Sequence, residues 1–168
     1  SYKVMEIHPR LLSVPFVIEE DTSGNIWMAG HGLARYNTKV DSFDLLIDSF
    51  PYIKMPDKQI NALVIDHKNT VWFNCNNNGL AAYDIQTRSF RHFTRGNGLP
   101  DDNIASLLVL GNKLWIACFS GIACLDLDTY QIVSFGREDG LPNMPTNKGA
   151  RFFYDKADHQ LYIGFATA

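Results

Sequence analysis

The segment Gly98-Leu99-Pro100-Asp101-Asp102-Asn103-Ile104 runs on through Leu114-Trp115-Ile116-Ala117 to Gly121-Ile122-Ala123. It reads as a turn signal, an apolar run, a tight break at Gly111-Asn112, a Trp-centred run, another glycine and a third apolar run. The same order recurs along the chain. Trp27, Trp72, Trp115 and Tyr162 are spaced by 45, 43 and 47 residues. Gly32-Leu33, Gly79-Leu80 and Gly121-Ile122 follow the three tryptophans, and Tyr36-Asn37, Tyr83-Asp84 and Leu125-Asp126 come next. Phe43, Phe90 and Ile132 then fall in register, as do Leu46, Phe93 and Phe135. Met55-Pro56-Asp57-Lys58-Gln59-Ile60 aligns with Leu99-Pro100-Asp101-Asp102-Asn103-Ile104. A period in the forties marks an array of supersecondary units.

Each unit divides into four short runs rich in Ile, Val, Leu, Phe, Tyr and Trp, broken by Gly, Asn, Asp and Thr, as in antiparallel meanders. In the second unit the expected strands are 59–66, 70–75, 79–84 and 88–93. Asp21-Thr22-Ser23-Gly24-Asn25 and His67-Lys68-Asn69 read as hairpin turns, with Gly111-Asn112 as a shorter equivalent. Helical spacing is not sustained anywhere. The fold class is therefore all-β, a β-propeller segment of four-stranded antiparallel blades. Expected boundaries are an outer strand at 1–8, blades at 14–50, 59–94 and 103–135, and a half blade at 149–168. One blade alone leaves apolar faces exposed, so Trp27, Trp72 and Trp115 are expected to pack blade against blade. Such a chain is expected to be a fragment of a longer propeller, or to complete its ring by association.

The 168 residues are 46% hydrophobic and 20% charged, with a formal charge of −3, an ordinary globular balance. No basic stripe suits nucleic acid, and no apolar run reaches the roughly 20 residues of a spanning helix, so neither nucleic acid nor direct membrane contact is expected of this segment. Ser1 to Glu6 carry no charged segment leading into an apolar one, so the signal of an exported protein would have been removed or would lie outside this sequence. Cys75, Cys118 and Cys124 form no CxxC pair and are expected to be free and buried. His8, His31, His67, His92 and His159 show no metal-ligand spacing, no nucleophile elbow is present, and no metal or other cofactor is expected.

The combined pattern is quoted as Gln59 to Ala62, Val71-Trp72-Phe73, Gly79-Leu80-Ala81-Ala82-Tyr83-Asp84, Phe90, Phe93 and Gly98-Leu99-Pro100. The third unit repeats it through Asn103-Ile104, Leu114-Trp115-Ile116-Ala117, Gly121-Ile122, Asp126 and Gly140-Leu141-Pro142. Together these resemble the two-component regulator propeller repeat, found in periplasmic sensor regions of hybrid histidine kinases of Bacteroides-type bacteria. The resemblance implies a non-catalytic periplasmic segment responding to a carbohydrate, with an oligosaccharide as ligand. Its other partners would be the remaining blades of a longer chain or a second copy. Departures from the family lie after the aromatic, at Ala29-Gly30, Asn74-Cys75, Ala117-Cys118 and Gly164-Phe165, where Gly-Thr is usual. Asn74 is polar where a small residue is expected.

Propellers place ligands on loops around the axis. The connections between second and third strands differ among the units and supply the candidate ligand-binding residues: His31, Asn76, Asn77, Asn78, Phe119 and Ser120. Asn amides and a His suit sugar hydroxyls, and Phe119 suits stacking on a sugar face; the competing reading of the asparagines is turn chemistry. Asp101 and Asp102 are adjacent in a recurring turn, which does not give the facing carboxyls of acid/base catalysis. The other function classes are a propeller enzyme, lyase or glycosidase-like, and a protein-interaction scaffold.

Overall fold

Short β-branched and aromatic runs, punctuated by residues that accept tight turns, become strands of an antiparallel meander. The computed structural model describes residues 16–46, 59–142 and 150–164. The first blade is β1 (Val17–Glu20), β2 (Ile26–Gly30), β3 (Gly32–Asn37) and β4 (Ser42–Leu45). The second is β5 (Leu63–Ile65), β6 (Thr70–Asn74), β7 (Leu80–Asp84) and β8 (Phe90–Phe93). The third is β9 (Ile104–Leu110), β10 (Lys113–Cys118), β11 (Ile122–Asp126) and β12 (Ile132–Phe135). A two-stranded sheet, β13 (Arg151–Asp155) with β14 (Gln160–Gly164), follows. Within each sheet neighbours in sequence are neighbours in space and antiparallel. First strands adjoin first strands, β1 beside β5, β5 beside β9 and β9 beside β13, so the sheets follow one another around an axis. This is a propeller segment. The expected outer strand at 1–8 and the segment Met55-Pro56-Asp57-Lys58 lie outside the described residues.

Alternation of side chains along the strands gives the second blade two buried faces. Trp27, Ala29 and Leu33 of the first blade meet Val71, Phe73 and Tyr83 of the second, with the Trp27 and Tyr83 rings 6.0 Å apart. Trp72, Ala82 and Phe93 on the opposite face of the second blade meet Leu107, Leu114 and Leu125 of the third. Trp27 and Trp72 thus each pack toward the blade that follows. Trp27 and Trp72 are fully buried. Trp115 departs from the expectation: it is half-buried and stacks on Phe135 of its own blade, 6.1 Å between rings. The sheet that follows it presents only β13 and β14 among the described residues, which is too little surface to cover that side.

The first-to-second strand hairpins carry a feature the periodicity does not reveal. Six residues before Trp27 stands Asp21, whose carboxylate accepts the indole N–H at 2.9 Å and the Ser23 and Asn25 backbone N–H groups at 2.9 and 3.0 Å. Asp66 repeats this with Trp72 at 2.8 Å and with the N–H groups of Lys68 and Thr70, both at 2.9 Å. One buried carboxylate therefore closes the turn and anchors the core aromatic. The third hairpin is one residue shorter, has Leu110 at the equivalent place and closes with Gly111 at φ 57° instead.

Burial opposes ionisation of Asp21, but the bonds from Trp27, Asn25 and Ser23 outweigh it and hold its carboxyl below the ordinary 3.8. A folded-state value below the unfolded one contributes stability that is full above the unfolded value and is lost as pH falls through the folded one. Asp21→Asn is expected to destabilise the chain by about 1–3 kcal/mol at neutral pH. That gap narrows as the pH drops below about 3.9. Urea midpoints at pH 7 and pH 3 check both parts.

Candidate functional site

Antiparallel order sends the second-to-third strand loops and the links between blades to one end of the segment. The hairpins that follow first and third strands emerge at the other. All six candidate residues from the sequence lie at the first end, spread over three successive blades. His31 is exposed and its ring lies 5.8 Å from that of Phe16. In the second blade Asn77 is exposed with φ 55°, while Asn76 and Asn78 are half-buried. The Asn78 N–H donates to the Cys75 carbonyl at 2.5 Å, and the Asn78 carbonyl lies 2.5 Å from His92 Nε2.

The neighbouring Gly79 N–H donates to the Asp102 carbonyl at 2.9 Å, which ties this loop to the link between the second and third blades. Ser120 Oγ donates to the Pro100 carbonyl of the same link at 2.9 Å, and the Phe119 N–H donates to Asn103 at 3.0 Å. Residues Asn76 to Asn78 and Phe119 to Ser120 thus flank one connection, and His31 stands a blade earlier. The Asp101 carboxylate accepts the Asn103 backbone and side-chain N–H groups at 2.8 and 3.0 Å. The Asp102 carboxylate accepts the Arg95 N–H at 2.8 Å. Both hold the backbone of the connection.

Asn74, the polar departure from the repeat, has a structural explanation. It is buried, and its Oδ1 accepts the N–H groups of Asn61 and Ala62 at 2.8 and 2.9 Å. The amide thereby holds the backbone just ahead of β5, which begins at Leu63 rather than at 59. Asn74→Ala removes the acceptor of two backbone donors, that of Ala62 buried, and is expected to cost about 2 kcal/mol in chemical denaturation.

The thiols of Cys75 and Cys118 are buried and pushed up to about 12 by that burial, so they stay protonated. Among the described residues no group of three or more His, Cys, Asp or Glu is placed to hold a metal ion. No described helix is long and apolar enough to cross a membrane.

A hollow opens at the opposite end, between the second and third blades. In the first blade Arg35 pairs across strands with Asp44, Nη2 to Oδ2 2.6 Å, and its guanidinium lies 6.0 Å from the Trp27 ring. That pair fills the space above the tryptophan. In the second blade the corresponding cross-strand pair is Ala82 with Arg91. The small Ala82 leaves a cavity of about 160 Å³, lined also by Thr70, Asp84, Thr87, Ser89 and Arg91, with Tyr130 of the third blade closing one side. The Arg91 guanidinium sits 4.4 Å from the centre of the Tyr130 ring.

No protein-family model matches the sequence, and no curated protein matches it. Solved structures do share its fold. The extracellular domain of BT4673, a hybrid two-component system of B. thetaiotaomicron, superposes with a TM-score of 0.70 at 23% identity, over 91% of this chain and 19% of that one. That of BT3049, from the same organism, gives 0.60 at 17% identity, over 88% and 23%. YCF48 bound to a peptide gives 0.57 at 11% identity, over 83% and 48%. The chain spans about a fifth of the length of the two bacterial domains it resembles. At these identities the likeness establishes the fold: a propeller segment similar to the extracellular domains of hybrid two-component systems.

Proposed function

We propose that this chain is a non-catalytic, periplasmic ligand-sensing segment of a hybrid two-component regulator that responds to a carbohydrate. The observation that carries the reading is the repeat itself. Its units fold as consecutive blades with the architecture of two such extracellular domains. The candidate loops add support, because Asn76, Asn77, Asn78, Phe119 and Ser120 gather polar and aromatic groups around one inter-blade connection, with His31 on the same end. Calorimetric titration of the full ectodomain against an oligosaccharide panel tests it. Saturable heat with one glycan class is the expected result, and silence across the panel rejects the carbohydrate part.

The segment's partners in this reading are further blades, from a longer chain or a second copy. Phe153 and Tyr162 are 64% and 48% exposed, with rings 6.3 Å apart, and Tyr162 holds the repeat position of the tryptophans. In the first two blades that position is covered by the next blade. Light scattering of this chain separates the sources, since a strictly monomeric species rejects pairing of two copies.

A further inference from the structure

We infer that the hollow between the second and third blades is a binding site for a small hydroxylated carboxylate, either a free hydroxy acid or a uronic acid unit. The inference stands apart from the sensor reading, since it rests on the hollow alone and lies at the end opposite the candidate loops. Three observations point to this chemistry.

The first is an uncommitted cation. The ion pairs of the described residues are Arg35 with Asp44, Lys68 with Asp128, and Lys113 with Asp126. Arg91 has no carboxylate partner among those residues; its contact is the face of Tyr130. A guanidinium held over an aromatic face keeps N–H donors to offer, and its fork receives a carboxylate through two parallel bonds.

The second is the remaining lining. Thr70, Thr87 and Ser89 supply hydroxyls, with the Thr87 and Ser89 oxygens 2.8 Å apart. Asp84 also lines the hollow, and the two N–H groups it accepts, from Gln86 and Thr87 at 2.9 Å each, both go to Oδ1. A carboxylate lining the same hollow disfavours an inorganic polyanion and favours a ligand that donates hydroxyls to it. The third is size. About 160 Å³ is well below the roughly 300 Å³ where drug-sized sites begin, and suits a single six-carbon acid or smaller.

The test is titration of the full chain by calorimetry with D-glucuronate, L-tartrate and D-glucose. The expected result is saturation by at least one of the two acids below about 10 mM, with no saturation by glucose over that range. Glucuronate alone identifies a uronic acid site, and tartrate alone a free hydroxy-acid site. Arg91 is exposed, so Arg91→Gln is expected to fold with an unchanged circular dichroism spectrum and to weaken the acid about tenfold or more. Thr70→Val, close in shape, is expected to weaken it several-fold. The inference is overturned if neither acid saturates, if glucose binds as well as the acids, or if both variants bind like the wild type.

Discussion

Trp72→Ala is expected to lower the unfolding free energy by about 3–5 kcal/mol, the range for removing a large aromatic from a packed core. Three losses combine. The indole is fully buried and packs between its own blade and Leu107, Leu114 and Leu125 of the next. Its ring lies 5.8 Å from that of Phe93 and 6.2 Å from that of Tyr130, so aromatic contacts are lost along with area. Its N–H also leaves the Asp66 carboxylate, which then keeps only the two backbone donors of its hairpin. For a domain of ordinary stability, about 5–15 kcal/mol, this is a large fraction of the total. Trp115→Ala, at the same repeat position, is expected to cost about 1–2 kcal/mol, because a half-buried ring loses less transfer free energy and leaves little cavity. Urea denaturation of the two variants side by side gives the comparison. Equal losses would mean that the third blade's aromatic is buried as deeply as the second's.

That contrast also marks what the sequence makes legible. Period and register place Trp27, Trp72 and Trp115 at one position of a meander, and the four-stranded blades follow from the spacing of their turns. Depth of burial does not follow, because it depends on the next blade rather than on the residue's own strand. Asp21 and Asp66 are readable in hindsight, each six residues before a tryptophan, yet an Asp beside a turn carries the same local signal whether or not it reaches an indole. Asn74 is polar at a position where the repeat expects a small residue. Its role appears only when the chain from 61 to 62 is brought against it, a contact between residues a dozen apart that periodicity does not encode.

The two ends of the segment divide in the same way. Loop variation picked out His31, Asn76 to Asn78, Phe119 and Ser120, and the topology brings them to one end because strand direction alternates. The hollow at the other end is written in the sequence as an absence. Ala82 stands where Arg35 stands one unit earlier, and the space becomes a site only because Tyr130 of the following blade supports Arg91. A small residue in a strand is the least conspicuous signal a repeat can offer.

Gly79→Ala is expected to destabilise the chain by about 4 kcal/mol or more, beyond the ordinary range for a single substitution. Two independent constraints meet at this residue. Its φ of 80° is a backbone conformation that costs a side-chain-bearing residue about 1–2 kcal/mol. A Cβ there would also fall 2.2 Å from the Phe93 carbonyl oxygen and 3.2 Å from its carbon, both backbone atoms of β8 that have no rotamer to yield. Relief requires the β6–β7 loop to move away from β8, which strains the Gly79 N–H bond to Asp102 and with it the tie to the link between blades. Gly111→Ala separates the two constraints. Gly111 also has a positive φ, 57°, but its Cβ would meet nothing within 4 Å, so about 1 kcal/mol is expected there. A loss at Gly79 no larger than at Gly111 would show that the loop gives way freely. In that case the second-to-third strand connections, with Asn76, Asn77 and Asn78 among them, would be adaptable rather than held by the blade beneath.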